Sequence, residues 1–256
     1  MMEMFAEAIR GTVNVGRLGL GVHVAGNYVL TAAHCLRYCI DLRSGQFARN
    51  DNIVEAVFFG DTKFLFRVVT VDPVLDIALL ESIDEPPPDP SEFEGDSEED
   101  YELRELVTDA QDFNTCSTRY ASVPLSDRIY ESGDEFVVHT VTHDRDLVEG
   151  NATATDCFLS VKHKSQIESG TSGAPIVNSD GGVVGIISMS GGGAQPYRAL
   201  PAWAAKQLRR SAPCAARRTT IAELSACPSC GARVKMWQQI FGITRVSLAR
   251  LGLKRR

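Results

Sequence analysis

Long apolar runs are missing from this sequence of 256 residues. No stretch approaches the roughly 18 consecutive apolar residues that a membrane-spanning helix requires, so the pattern excludes a helical membrane protein. The amino terminus also lacks the apolar core of a signal peptide, because Glu3 and Glu7 interrupt it. We therefore expect a protein that is not exported and resides in the cytoplasm.

A regular cysteine framework is missing as well. The seven cysteines are an odd number and follow no repeating spacing. This pattern favours a reducing compartment over a secreted, disulfide-linked fold.

Each sign of charge is nearly absent from one part of the chain, although the net charge is only -7. Residues 82–112 contain thirteen acids and the single base Arg104, whereas residues 207–256 contain eleven lysines and arginines and the single acid Glu223. The acidic part is rich in proline and poor in aliphatic side chains, so it cannot bury enough apolar surface to offset its ordering entropy. We expect residues 84–112 to be a solvated linker, and a partner-binding or regulatory loop is the alternative.

Strand patterns are plentiful on both sides of this linker. Short β-branched or aromatic runs, separated by Gly, Asn and Asp, occupy 11–15, 19–24, 28–31, 53–59, 64–71 and 77–80 before it, and 135–142, 157–161, 174–177 and 183–188 after it. Many short strands favour an all-β sandwich or barrel. We predict one β-barrel over 9–83, the linker over 84–112, a second barrel over 113–209 with a closing helix at 201–210, and a basic tail over 210–256.

The basic tail carries two further patterns. Cys227 and Cys230 form half of a zinc-ribbon motif, and Cys214 is the nearest third cysteine. A complete site needs four ligands, so zinc is the lesser alternative and no cofactor is expected. Apolar residues after Cys230 fall largely on one helical face among basic residues, which would suit docking on the protein itself, including its acidic linker, or on an acidic partner or a membrane surface. No binding motif accompanies the charge, so nucleic acid is not an expected partner.

The pattern around Ser172 suits a nucleophile. Nucleophilic hydrolysis needs an activated side chain, a base within hydrogen-bond reach and a group that orients the base. Gly170 and Gly173 allow the chain to turn sharply beside Ser172 and to approach a substrate closely. In such a turn the amides of Gly170 and Ser172 can converge as an oxyanion hole. A structural Gly/Ser turn between strands is the alternative.

His34 and Asp76 are the candidates for the base and its orienting group. His34 follows an apolar run and stands between small residues, which leaves room for a substrate, although a lone histidine there is more often structural. Asp76 opens a strongly apolar strand, where a carboxylate beside an imidazole would fix its tautomer and stabilise its cation. Asp72 is the competing acid, but it precedes Pro73 in a predicted turn.

Taken together, these motifs resemble a known family. Thr31-Ala-Ala-His-Cys35, Asp76-Ile-Ala-Leu-Leu80 and Gly170-Thr-Ser-Gly-Ala-Pro175 are similar to the three signature motifs of trypsin-like serine proteases, in the same His, Asp, Ser order. The resemblance covers about residues 9–209 and implies a chymotrypsin-like double β-barrel with the triad in the cleft between the barrels.

The resemblance is closer to the bacterial HtrA-like and glutamyl-endopeptidase-like branch than to the digestive enzymes, through Asp72-Pro and residues 132–138. Residues 182–188 resemble the strand whose backbone pairs with substrate. This implies that Ser188, Met189 and Ser190 form a substrate-binding edge.

Three departures from the family pattern limit what it implies. Cys35 has no upstream cysteine to pair with, because Gly and Leu occupy position 19 and its neighbours. Thr171 stands where trypsin-like zymogens have an Asp that receives a new amino terminus, so proteolytic activation of that kind is not expected. The floor of the specificity pocket, near 166–169, has no acid in the position that selects Lys or Arg, although Glu168 is nearby.

Three histidines are candidates for reading an acidic substrate side chain, but surface roles are the simpler interpretation: His139, His143 and His163. The sequence thus predicts a serine endopeptidase that cleaves proteins or peptides, with Ser172 as nucleophile, His34 as base and Asp76 as its orienting acid. A protease fold that has lost turnover and binds extended peptides is the alternative, and a self-processing polyprotein segment is a third.

Overall fold

Short strands dominate the described part of the chain. A computed structural model describes residues 2–16, 19–24, 27–36, 40–41, 46–47, 53–58, 61–72, 76–83, 89–93, 95, 98–113, 120–126, 128, 130–155, 158–189 and 197–201. The first half begins with helix α1 (Met2–Gly11) and continues with β1 (Thr12–Val15), β2 (Gly19–Val24), β3 (Tyr28–Ala32), a 3-10 helix (Ala33–Leu36), β4 (Ile40–Asp41), β5 (Gln46–Phe47), β6 (Ile53–Phe58), β7 (Thr62–Asp72) and β8 (Ile77–Ser82).

The first barrel is one antiparallel sheet that curls on itself. Its strands follow the order β6-β1-β2-β3-β8-β7, and β6 also pairs with β7, which brings the two ends of the sheet together. Along β6 every second residue is buried, as expected for a strand with one face on a core. Three buried rings, Phe58, Phe64 and Phe66, pack against Phe113 inside it.

Part of the acidic linker is folded, which differs from the solvated chain that its composition predicts. After a 3-10 helix (Pro90–Phe93), helix α2 (Glu98–Val107) leads into β9 (Ala110–Gln111), which pairs in parallel with β7. Leu106 and Val107 are buried against Leu65 of the first barrel. Leu106 and Val107 thus share one packing contact, which orders a helix that average composition does not predict.

The second barrel is closed. It comprises β10 (Glu135–Val141), β11 (Leu147–Ala154), β12 (Leu159–His163), β13 (Pro175–Asn178), β14 (Val183–Met189) and β15 (Tyr197–Pro201), in the order β10-β11-β12-β15-β14-β13. The double β-barrel predicted from the sequence is thereby confirmed.

Sequence patterns missed β11 and β15. Gly150 and Asn151 interrupt β11 with residues typical of turns, but Gly150 lies against His163, where an added Cβ would be 3.1 Å from the imidazole Cδ2. The strand therefore needs a glycine for packing and not for a turn.

A shared apolar cluster joins the two barrels. It contains Val22, Leu30 and Ile77 from the first barrel, and Val141 and Ile186 from the second. Phe5 and Ala8 of α1 are buried in the same cluster, and the Phe5 ring lies 4.4 Å from the ring of His139. Sequence patterns did not predict this helix.

Polar contacts also cross between the barrels. The guanidinium of Arg145, in the β10–β11 turn, donates hydrogen bonds to the carbonyl of Thr12 and to Asn14 Oδ1 of β1. Polar contacts and apolar packing therefore both join the two barrels.

Several predicted segments lie outside the described residues. Pro201 ends β15, while the remainder of the predicted 201–210 helix and the whole tail, with Cys214, Cys227 and Cys230, are not described. Among the described helices, none is long and apolar enough to cross a membrane.

Acid should destabilise the second barrel through His163. Burial disfavours the charged imidazole and lowers the pKa of His163 from 6.5 to about 4. Between these pH values the unfolded chain binds a proton that the folded chain does not. The resulting stabilisation is fully present above pH 6.5 and is lost as the pH falls towards 4, by at most about 1.4 kcal/mol per pH unit.

Urea unfolding at neutral pH and at about pH 5 tests this. We expect the free energy of unfolding to fall less in His163→Gln than in the wild type. The exposed His143 provides the matched control variant, His143→Gln, which should behave as the wild type. An identical pH dependence in wild type and His163→Gln would contradict the assignment.

Candidate active site

Asp76 lies in the turn immediately before β8 and is completely buried. Its φ of 54° is in the left-handed region, which Asp tolerates better than most residues. In this conformation its carbonyl accepts a hydrogen bond from the Ala33 amide, with a distance of 3.0 Å. The backbone conformation of Asp76 is therefore supported by the residue's own preference and by its hydrogen bond with Ala33.

The Asp76 carboxylate accepts three hydrogen bonds. The amide of His34 donates to Oδ1 at 2.9 Å, His34 Nδ1 donates to Oδ2 at 2.8 Å, and the hydroxyl of Ser188 donates to Oδ2 at 2.6 Å. These bonds replace the water partners that the carboxylate loses when it is buried. The competing acid, Asp72, ends β7 opposite Ile77, and its side chain lies outside the described set.

The contact with Asp76 determines the state of the His34 imidazole. A carboxylate only accepts hydrogen bonds, so Nδ1 carries a proton, and in the neutral ring Nε2 is the nitrogen with the lone pair. Burial lowers the pKa of His34, but the hydrogen bond and charge of Asp76, with a further contribution from Cys35, outweigh burial and raise it above 6.5. The side chain is 24% exposed, so the ring is open to the cleft.

Ser188 belongs to this network through a feature that the sequence did not reveal. Its hydroxyl contacts Asp76, although the residue was predicted only as part of a substrate-binding edge. The pairing of β14 with β15 shifts register between Ile187 and Met189, so Ser188 lies at a bulge. Bulges beside active sites often re-aim a side chain, and here the result is a contact from the second barrel to an acid of the first.

The free edge predicted near Ser188 has a structural basis. The pairing of β14 with β13 runs to Ile186, and contacts of Ile187 with Gly173 and Ala174 extend it by one residue. In the described strands, β13 continues no further along β14. Met189 is in β14, with its side chain outside the described set, and Ser190 lies outside it altogether.

Ser172 is held by its backbone between the two barrels. Its carbonyl accepts a 2.7 Å hydrogen bond from the Leu20 amide and lies 3.5 Å from the Sγ of Cys35, the residue after His34. The next residue, Gly173, has a φ of 86°, and an added Cβ would lie 1.8 Å from the Leu20 carbonyl oxygen. Only glycine fits where the nucleophile loop meets β2.

The amides predicted for the oxyanion hole are available. Gly170 has a φ of 99°, a conformation that strongly favours glycine. Within the described part of the chain, neither the Gly170 nor the Ser172 amide donates to a protein acceptor. An oxyanion hole formed by these two amides stays a prediction.

The remaining predicted residues differ in their distance from this site. Cys35 is a buried free thiol, and the site of an added Cβ on Gly19 lies 2.2 Å from its Sγ. The imidazole of His163 is hydrogen-bonded to Thr140. His143 Nδ1 lies 3.9 Å from the site of an added Cβ on Gly170. No cluster of three or more metal-ligating residues occurs among the described residues.

Comparisons with known proteins bear on the fold and on the family. A serine endoprotease from Yersinia pestis has a similar fold, with a TM-score of 0.52 and 18% identity, over 82% of this chain and 65% of that protein. The inactive form of Rv3671c from Mycobacterium tuberculosis is also 18% identical, with a TM-score of 0.48, over 81% of this chain and 89% of that one. A sequence search against curated proteins found no match.

The family model described as trypsin-like peptidase domain matches residues 19–186, which is more than half of the chain. This range contains His34, Asp76 and Ser172 together with most of both barrels. The chain therefore belongs to the trypsin-like peptidase family.

Proposed function

We propose that this protein is a serine endopeptidase that cleaves peptide bonds through an acyl-enzyme. The observation that carries the proposal is the fully buried Asp76 carboxylate, which is bonded to His34 Nδ1 at 2.8 Å. The residue after His34, Cys35, brings Ser172 close to this pair, because its Sγ lies 3.5 Å from the Ser172 carbonyl oxygen. Burial of a carboxylate costs free energy, even when it accepts three hydrogen bonds beside a partly exposed imidazole, and a purely structural role does not explain that cost. A carboxylate in this position also has a chemical use. It is what a base needs when it becomes a cation during reaction.

In the first half of the reaction, Ser172 Oγ attacks the carbonyl carbon of the scissile peptide bond. Its proton passes to His34 Nε2, and the imidazolium that forms is stabilised by Asp76. The negative oxygen of the tetrahedral intermediate accepts hydrogen bonds from the amides of Gly170 and Ser172. The intermediate collapses when His34 returns the proton to the leaving amine, which leaves an ester on Ser172.

The second half repeats these steps with water. His34 removes a proton from the attacking water, and the oxyanion hole stabilises a second tetrahedral intermediate. The intermediate collapses when His34 gives this proton to Ser172 Oγ, which breaks the ester bond, releases the carboxylic acid product and restores the Ser172 hydroxyl. The substrate chain would lie as an added strand along the side of β14 that β13 leaves uncovered from Ser188 onward.

The second candidate is a peptide-binding module without turnover. In the described strands, the pairing of β13 with β14 stops before Ser188, and this favours the module, because backbone pairing with a peptide there requires no chemistry. The two functions differ in the reactivity of Ser172.

Labelling with a fluorophosphonate probe separates them. We expect the wild type to be labelled at Ser172 and the folded Ser172→Ala variant to remain unlabelled, because the probe reports an activated hydroxyl. Ser165→Ala, a change of an exposed serine in the same connection between β12 and β13, is the matched control and should still be labelled. A folded wild type that neither reacts nor cleaves a peptide library would favour the binding module.

Replacement of Asp76 by Asn should lower kcat by roughly 10⁴-fold, because an amide can hold the imidazole in the wrong tautomer. Ser188→Ala removes one hydrogen bond to the same carboxylate, and we expect a loss of roughly tenfold, as for one charge-assisted hydrogen bond. Steady-state cleavage of one peptide substrate by the wild type and both variants gives the loss of kcat for each variant. Equal losses would contradict the division of roles between the two partners.

The rate should also rise with pH. His34 accepts a proton only when neutral, and Asp76 raises its pKa above 6.5. The kcat/KM of the wild type should therefore increase through a midpoint above pH 6.5, and the labelling rate of Asp76→Asn should have a lower midpoint. A wild-type midpoint below 6.5 would argue against His34 as the base.

A further inference from the structure

The loop that carries Ser172 has one half that is firmly anchored. Downstream of Thr171, the carbonyl of Ser172 is bonded to Leu20 of the first barrel, and the amide of Gly173 donates to the Ile187 carbonyl of the second at 2.7 Å. The Ala174 amide donates to the Thr171 carbonyl at 3.0 Å. These bonds fix the nucleophile and its own amide.

The other half of the loop carries the second oxyanion donor, Gly170. It is tied to the anchored half by the side chain of Thr171, whose hydroxyl donates to the Glu168 carbonyl at 2.9 Å. Thr171 is only 2% exposed, so its hydroxyl has no access to bulk water as an alternative partner. The hydrogen bond closes a ring around residues 169 and 170 and thereby limits rotation of the peptide group that precedes Gly170.

We propose that Thr171 is the positioning residue that keeps the oxyanion hole assembled. Its hydroxyl holds the Gly170 amide in the direction of the substrate oxygen from the moment the chain folds. The inference rests on the proposed function and adds to it how the site becomes competent. No new amino terminus, and no cation from elsewhere, is then needed to order the loop.

The chemistry of the side chain supports this assignment. A hydroxyl at position 171 can donate to a carbonyl within its own loop, whereas an ionised carboxylate there could only accept and would require a cationic partner. The amino-terminal residues 2–11 are engaged in α1, where Phe5 and Ala8 are buried in the cluster between the barrels. The hydrogen bond from Thr171 to Glu168, called the latch below, therefore lies within the loop that it orders.

Three variants test the latch: Thr171→Val removes the hydroxyl at nearly constant volume, Thr171→Ser retains it, and Thr171→Asp replaces it with an acceptor. Each is compared with the wild type for kcat and KM on one peptide substrate. The inhibition constant of a peptide aldehyde, whose adduct with Ser172 carries an oxyanion, is measured in parallel. Active-site titration corrects for any misfolded fraction, and near-ultraviolet circular dichroism reports the fold.

For Thr171→Val we expect kcat to fall by roughly 10- to 100-fold while KM changes less than threefold, below the ~10²–10³ loss for deletion of an oxyanion donor. The aldehyde should bind more weakly by a similar factor, because it shares the oxyanion with the transition state. Thr171→Ser should recover kcat to within about threefold of the wild type, and Thr171→Asp should lose at least as much as Thr171→Val.

Two results would overturn the proposal in different ways. An active wild type whose Thr171→Val variant keeps its kcat and its affinity for the aldehyde per titrated site would refute the latch and leave the peptidase proposal intact. A wild type that reacts with neither the fluorophosphonate probe nor any peptide would refute the peptidase proposal and the latch together.

Discussion

The active-site geometry depends on one buried charge. Asp76 comes from the first barrel and is completely buried, and its carboxylate is bonded to His34 of the same barrel and to Ser188 of the second. An unpaired carboxylate in such a position would cost several kcal/mol, so the site is stable only while the barrels remain docked. The apolar cluster with Phe5, Val22 and Val141 maintains this docking. The docking of the two barrels and the geometry of the candidate site are therefore coupled through Asp76.

Much of this arrangement could be predicted because it depends on local pattern. Alternating runs predicted most of the strands. The turn-forming glycines beside Ser172 indicated a close backbone approach, and the structure shows one at Gly173, where an added Cβ would lie 1.8 Å from the Leu20 carbonyl oxygen. Asp76 could be preferred to Asp72 because it opens an apolar strand.

Other features depend on contacts between distant residues and left no local signal. The role of Ser188 requires the bulge in β14, and the strand β11 requires that Gly150 accommodate His163. Helix α2 was missed because its average composition is that of a solvated chain, although Leu106 and Val107 together contact the first barrel. Short apolar segments of this kind are recognised only when their partner surface is known.

Cys35 lies against Gly19, and a glycine cannot provide a second sulfur. The wall of the cleft behind His34 is therefore held by van der Waals packing and by the hydrogen bonds of Leu20, without a covalent cross-link. A reductant has no bond to break at this position, and a thiol that is 3% exposed offers an oxidant little access. The cohesion of this wall therefore does not depend on a thiol–disulfide equilibrium of Cys35.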